Sequence, residues 1–277
     1  MQKSNHLVSV LVATYNSEDF IGKTLDSLLK QTYKNLEILV CDDASSDNTV
    51  DTVKKYQEKD ERIVLIQNSK NLGISLNMNN GIQKAKGKYI AILDADDWAY
   101  SYRIEEQVKV MEDNPEIVLC SGYMHICDEN LNVKTLRKYP LTDKEIRKAI
   151  VRYNPISHPA SMWRRSAMLK TSLYNKRFPI NRDYDLLVRI SEFGKYQNIP
   201  KPLIKYRVRK ESETGKRVRQ TQWYAFYIQM KAHFEYGFPL KFSDITFLIG
   251  RMIATIVLPI SLQRHIANNF SRLKKES

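Results

Sequence analysis

The stretch YIAILDADDWAY, residues 89–100, decides the fold. It opens with five apolar or aromatic residues and runs into three carboxylates, Asp94, Asp96 and Asp97. A short continuous apolar run bounded by turn residues fits a strand covered on both faces. Its acidic end then marks the edge at which the chain leaves the sheet. Carboxylates this close repel one another, and each resists ionising unless something positive sits among them. Two readings compete. The cluster caps the next helix and faces water, or it holds a divalent metal.

Similar runs lie on either side: LVSVLVA at 7–13, LEILVC at 36–41, RIVLIQ at 62–67 and EIVLCS at 116–121. Between the runs the spacing predicts helices over Asp19 to Gln31, Asn48 to Lys59, Ser75 to Lys84 and Tyr102 to Asn114. Buried strands alternating with amphipathic helices predict βαβ units and an α/β fold with a mainly parallel central sheet flanked by helices. In an open α/β sheet, ligands sit beyond the carboxyl ends of the strands. Three polar clusters fall at such ends: Thr14-Tyr15-Asn16, Asp42-Asp43 and Asp94 to Asp97.

After residue 122 the strict alternation fades, and loop signals gather at Asn154-Pro155, His158-Pro159, Phe178-Pro179 and Pro200 to Pro202. From Val218 the pattern is helical again. The expected organisation is a nucleotide-binding half over 1–122, a second-substrate half over 123–215 and a helical, basic extension over 216–277.

The 277 residues include 44 Lys plus Arg against 31 Asp plus Glu, a net charge of +13. Such a balance favours phosphate-rich partners without choosing among nucleic acid, anionic lipid and nucleotide-linked substrates. Nucleic acid is disfavoured, because no binding motif or stripe of interleaved aromatic and basic residues is present. A dehydrogenase is disfavoured too, since no Gly-x-Gly-x-x-Gly follows the first strand. Cys41, Cys120 and Cys127 are sparse and odd in number, which suits reduced core thiols and a cytoplasmic setting. The run 7–13 is too short for the apolar core of a secretory leader.

Several candidate residues carry a plain structural reading beside a functional one. Asp47 or Asn48 suits a helix cap, whereas Asp43 at a strand end can accept the N–H donors of a base. Gly73 and Gly81 permit close backbone approach, and Asn71 or Ser75 can cap the helix that follows. Asp94 and Asp96, two apart on an extended backbone, would point the same way. Mg2+ or Mn2+ suits such oxygens, with substrate phosphates completing the shell. Asp183 reads as an N-cap for the helix YDLLVRIS.

The ordered segments VSVLVATYNSEDFIGKTLDSLLKQTYKNLEILVCDDASSDNT, NLGISLNMNNG and GKYIAILDADD, followed by HPASMWRR, NRDYDLLVRI and PLIKYRVRKES, resemble the family 2 glycosyltransferases with the GT-A fold. The likeness runs from Leu7 to Ser212. It implies that Thr14, Tyr15 and Asn16 line a base pocket, with Glu18 nearby and Asp43 pairing with uracil. It implies nucleotide-sugar contacts from Asn71, Gly73, Ser75, Asp94, Ala95 and Arg209. Asp96 would bind the Mn2+ or Mg2+ that bridges the diphosphate, and Asp183 matches the family's catalytic base. There are departures. Arg182 stands where a Glu is common, Asn77-Met78-Asn79 replaces an Ala-Arg-Asn run, and Arg209 replaces a metal-binding His. His158 and Arg182 are read as contacts to acceptor or diphosphate; the bland alternative for His158 is a hydrogen-bonded loop residue.

The resemblance implies an inverting, metal-dependent transfer from a UDP-sugar to a glycan hydroxyl, with a polyprenyl-linked acceptor at the cytoplasmic face of the membrane. A nucleotide-sugar-binding protein with impaired turnover is the alternative. The run Ile245 to Leu262 approaches the roughly 20 residues of a membrane span. Arg251 and Pro259 oppose a simple span, and the basic stretch 263–275 suits an anchor on an anionic membrane surface. An ordinary packing helix is the third reading.

Overall fold

The five apolar runs at 7–13, 36–41, 62–67, 89–93 and 116–121 each form a strand in the computed structural model, which describes residues 5–209 and 218–258. The first half builds β1 (Val8–Thr14), α1 (Ile21–Leu29), β2 (Leu36–Asp42), α2 (Thr49–Gln57), β3 (Ile63–Gln67), α3 (Ile74–Lys84) and β4 (Tyr89–Asp94). These four strands pair in parallel in the order β3-β2-β1-β4. Register sets their ends level: Thr14 lies beside Asp42, and Ala13 beside Asp94. The three polar clusters therefore share one edge.

The chain continues through β5 (Trp98–Ala99), α4 (Arg103–Asp113), β6 (Ile117–Cys127), β7 (Val133–Arg137), α5 (Asp143–Ile150), β8 (Met162–Arg164), α6 (Arg165–Lys170), α7 (Arg182–Ile190) and β9 (Lys195–Arg207). Here the sheet turns mixed. The three-residue β8 slots antiparallel between β4 and β6, β6 pairs in parallel with β9, and β5 and β7 add antiparallel edges, giving nine strands in one sheet among the described residues. The boundary expected at residue 122 thus falls inside β6, and one sheet runs across both halves.

Strand alternation divides the core. On β1, Val8, Val10 and Val12 face the side covered by α1 and α4, while Leu11 faces the side covered by α3, α7 and α8 (Val218–Tyr236). Period-two side chains feeding two helical layers is what a buried parallel sheet requires. Gly81 sets the spacing on the second side: a Cβ there would meet Cys41 Sγ at 2.5 Å and Leu11 Cδ2 at 3.0 Å. All three cysteines are free and buried, and burial pushes the Cys41 thiol up to about 12.

The last described element, α9 (Phe242–Val257), packs on α8. Arg251 turns inward, where its guanidinium donates to the Arg152 carbonyl at 3.1 Å and to Gln229 Oε1. Among the described residues no helix is long and apolar enough to cross a membrane. Pro259 and the basic stretch 263–275 lie outside the described residues.

Candidate active site

The floor of the site is the carboxyl edge of β1 and β2. Thr14 is buried with its hydroxyl unpartnered, and the Tyr15 ring is half exposed beside it. Asn16 adopts φ +48°, a left-handed conformation that Asn tolerates. Its N–H donates to Ser45 Oγ and its Oδ1 accepts from Ser46 N–H, both at 2.9 Å. Glu18 Oε2 accepts from the backbone and side-chain amides of Asn48 at 2.9 and 2.7 Å, and Glu18 N–H donates to Asp47 Oδ2 at 3.1 Å. Asn16 and Glu18 thus tie the two loops together and leave the Tyr15 ring facing outward. Asp47, expected as a cap, also accepts from Thr49 N–H at 3.0 Å.

Asp43 is buried and organises the next wall. Its carboxylate accepts from Asn68 Nδ2 at 2.9 Å, Leu72 N–H at 2.8 Å and Gly73 N–H at 2.9 Å. Gly73, at φ +81°, is the residue that opens α3, and neither Asn71 nor Ser75 caps that helix. Asn71 instead accepts from Gly73 N–H at 3.1 Å. The unusual run of asparagines behind this loop is a network. Asn77 bridges Asn68 Nδ2 and the Cys41 carbonyl at 2.9 and 2.7 Å, and Asn79 clasps the backbone of Tyr174 through two bonds of 2.9 Å.

The acidic cluster does not continue β4 as an extended strand. It closes as a turn, with Asp97 N–H donating to the Asp94 carbonyl at 3.1 Å. The Thr24 hydroxyl lies 2.8 Å from the carbonyls of both Ala95 and Asp97 and fixes the turn from α1. Asp97 caps no helix: its Oδ1 accepts from Arg207 N–H at 2.9 Å, and its buried Oδ2 has no partner. Arg207 Nε donates to the Asp96 carbonyl at 2.7 Å, and Arg209 Nη1 reaches Asp96 Oδ2 at 3.3 Å. Both guanidinium groups lie over the Phe20 ring, at 4.9 and 5.0 Å. Under the turn, buried Arg103 donates to the carbonyls of Ile92 at 2.6 Å and Ser161 at 3.2 Å.

Charge in this turn is unbalanced. Burial, and then the Asp96 carboxylate, push Asp94 up to about 7; Asp183 adds to the rise while Arg182 and Arg103 oppose it. Burial, with Asp94 and Asp96, drives Asp97 well above the ordinary carboxylate range. An oxygen-only donor set whose crowded carboxyls resist ionising, with an unpartnered buried oxygen, fits a hard divalent cation. Among the described residues no group of three or more His, Cys, Asp or Glu side chains gathers to cage an ion. Outside oxygens would have to complete the shell.

A second group of site residues comes from α7 and the segment before β8. Asn181, in the left-handed region at φ +60°, precedes the helix, so Asp183 sits in the first turn and does not cap it. Asp183 Oδ2 accepts from Asn154 Nδ2 at 2.7 Å. The Asn154 amide is oriented by Ile156 N–H, which donates to its Oδ1 at 3.3 Å. Arg182 Nη1 donates to the Pro179 carbonyl at 3.3 Å, while its Nε is buried without a partner. His158 Nε2 and the Tyr174 hydroxyl lie 2.8 Å apart. Burial holds the His158 imidazole down at about 4, against the pull of Asp183.

The fold therefore gathers Asp43, Asp94, Asp96 and Asp97 at one edge, and the charges of Arg182 and Asp183 act on Asp94 from α7. Asn154, Arg207, Thr24, Arg103 and Tyr174 complete the arrangement, and sequence reading missed them. Only Arg207 carried a signal, as the residue after Tyr206 in the closing segment.

A three-layer sheet with acidic turns at its carboxyl edge is the architecture of nucleotide-sugar transferases. The pattern of "Glycosyl transferase family 2" matches residues 9–173, and the chain belongs to that family. An uncharacterised glycosyltransferase of Methanocaldococcus jannaschii is 36% identical over 233 residues, 83% of this chain and 80% of that protein. The Escherichia coli UDP-Glc:alpha-D-GlcNAc-diphosphoundecaprenol beta-1,3-glucosyltransferase WfaP is 43% identical over 117 residues, 42% of this chain and 46% of that protein. The mannosyltransferase PcManGT of Pyrobaculum calidifontis, solved with GDP-Man and Mn2+, superposes with a TM-score of 0.63 at 16% identity, covering 98% of this chain and 88% of that one. The fold is GT-A.

Proposed function

We propose that this glycosyltransferase moves a sugar, with inversion at C1, from a UDP-sugar to a hydroxyl of a polyprenyl-linked glycan at the cytoplasmic face of the membrane, in surface polysaccharide synthesis. The observation that carries the reading is the acidic turn at the carboxyl edge of the sheet, with Asp96 held by Arg209 and the charges of Asp183 and Arg182 near enough to act on Asp94. A base and a cation-seeking acidic turn within reach of each other are what an in-line displacement needs. The WfaP likeness supports the UDP donor and the diphosphoundecaprenol class of acceptor.

In this reading residues 1–122 hold the donor and 123–215 the acceptor. Tyr15 and Asp43 border the base, with Thr14, Asn16 and Glu18 shaping the floor. Asn71, Gly73, Ser75 and Ala95 bound the nucleotide side. Asp183 takes the acceptor proton as the hydroxyl oxygen forms its bond to C1. The C1–oxygen bond to the diphosphate breaks on the opposite face, and its electron pair leaves with UDP. Asp96 would hold Mn2+ or Mg2+, which supplies Lewis-acid stabilisation of the departing diphosphate. Arg209 adds a fixed positive charge on the same side. His158 and Arg182 border the space between donor and acceptor. A second reading, donor binding without turnover, is favoured by one contact: Arg209 already occupies Asp96 Oδ2.

Thermal unfolding against UDP-glucose, UDP-N-acetylglucosamine and GDP-mannose, with and without Mn2+, tests the donor class, because a bound ligand raises apparent stability. One UDP-sugar should stabilise the protein with Mn2+, and Asp96→Ala should abolish the gain. UDP release on adding lipid-linked acceptor tests turnover, and Asp183→Asn should slow it by about 10²–10⁴. Stabilisation by GDP-mannose alone would overturn the UDP assignment. Donor binding with no acceptor-dependent release would leave the second reading standing.

A further inference from the structure

The two sides of α9 differ sharply. Asp244, Leu248, Met252 and Thr255 are buried against the body, and Arg251 is drawn inward with them. On the other side, Phe242 is 80% exposed, Ile249 54%, Ile253 56% and Ile256 63%, with Ile245 and Val257 beside them. At helical spacing these six residues fall within an arc of about 120°. No charged residue interrupts the arc; Thr246 is its one polar member. An exposed apolar row of this length is unusual on a soluble surface and marks an interaction site.

We infer that this outward face of α9 docks the enzyme on an anionic lipid surface, lying in the headgroup plane without crossing. Several observations select that occupant. The helix has 16 residues, about 24 Å at the usual rise, too short to span. The row is a single helix wide, whereas a lasting protein interface needs roughly 800 Å² from each partner. The chain carries +13 net charge, and Arg264, Arg272, Lys274 and Lys275 follow α9 in the sequence. Apolar side chains buried at the acyl boundary, with cations nearby for anionic headgroups, are how an interfacial helix binds. The proposal deepens the lipid-linked acceptor reading but rests on the surface alone.

The test is flotation of the full chain with vesicles of phosphatidylcholine containing one part in three phosphatidylglycerol, compared with an Ile249→Glu/Ile253→Glu variant. Both substituted positions are exposed, so melting temperature and donor hydrolysis without vesicles should match the parent. The parent should float, and the variant should lose at least about tenfold in partitioning. Equal flotation of a folded variant would overturn the assignment. So would a parent that ignores vesicles but sediments as a dimer that the variant dissociates, since the occupant would then be a second copy. Retained flotation with no turnover would leave the docking face intact and refute only the transfer reading.

Discussion

The amide of Asn154 has one of its ends fixed by Ile156 N–H, so its NH2 group points at Asp183 Oδ2, 2.7 Å away. A carboxylate held by one oxygen presents the other in a set direction, which is what proton abstraction from a hydroxyl asks of a base. Asn154→Ala should lower kcat about tenfold, since a hydrogen bond to a charged group contributes roughly 1.5–3 kcal/mol. The donor KM should stay unchanged, because Asn154 touches Asp183, the proposed base, and none of the residues proposed for the donor. Steady-state kinetics with varied donor would show this, and an unaltered kcat would remove Asn154 from the machinery. His158 makes a different prediction. Its folded-state value of about 4 lies below the ordinary 6.5, so the unfolded chain takes up a proton that the folded chain refuses. Stability should therefore fall as pH drops from 6.5 toward 4, by at most about 3 kcal/mol at 1.36 kcal/mol per pH unit. Urea midpoints measured across that window should slope less steeply in His158→Gln than in the parent, and identical slopes would rule the imidazole out.

At the scale of elements, the loop between β3 and α3 is shaped by a residue outside it. Asp43 collects donors from Asn68, Leu72 and Gly73, and Gly73 opens α3 with no side-chain cap of its own. Asp43→Ala would leave these three part-buried donors without their acceptor. The expected result is a loss of about 2–3 kcal/mol in urea denaturation, together with a raised donor KM as the loop loosens. A variant with unchanged stability would show that water replaces the carboxylate. Asp43 was readable in the sequence as a strand-end carboxylate, and so were Thr14 and Asp94, because a buried parallel strand declares its own terminus by a change from apolar to polar. The turn at Asp94 to Asp97 was legible as a cluster, but not its geometry. Its shape is fixed by Thr24 and by Arg207, whose N–H meets Asp97 from 110 positions away. Asn154 and Arg103 were hidden for the same reason. A side chain's partner across the sheet leaves no periodic trace in local sequence, whereas strands and amphipathic helices do. The helix-cap readings of the acidic cluster, at Asp96 or Asp97, and of Asp183 failed because the cluster closes as a turn ahead of Tyr102 and a left-handed Asn181 precedes α7.

For the whole molecule, the two halves proposed for donor and acceptor belong to one sheet. Strand β4 is covered at its outer side by β8, with Ala91 beside Met162 and Ile90 beside Trp163, and Ile92 N–H donates to the Ser161 carbonyl at 2.9 Å. Beyond β8 lies β6, which the 122 boundary cuts in the middle, and β6 pairs along most of its length with β9. A fragment of residues 1–122 would expose the edge of β4, strip the Ser161 acceptor from buried Arg103 and leave Leu119 and Cys120 without Trp163 and Met162. Exposed strand edges and buried polar groups that lose an acceptor both oppose folding. The fragment should therefore show no cooperative thermal transition by circular dichroism. The full chain should lose its far-ultraviolet signal and the fluorescence of buried Trp163 at one urea midpoint, as a single cooperative unit does. A fragment that melts cooperatively on its own, or separated midpoints in the full chain, would instead make the donor half an independent domain with the acceptor half built onto it.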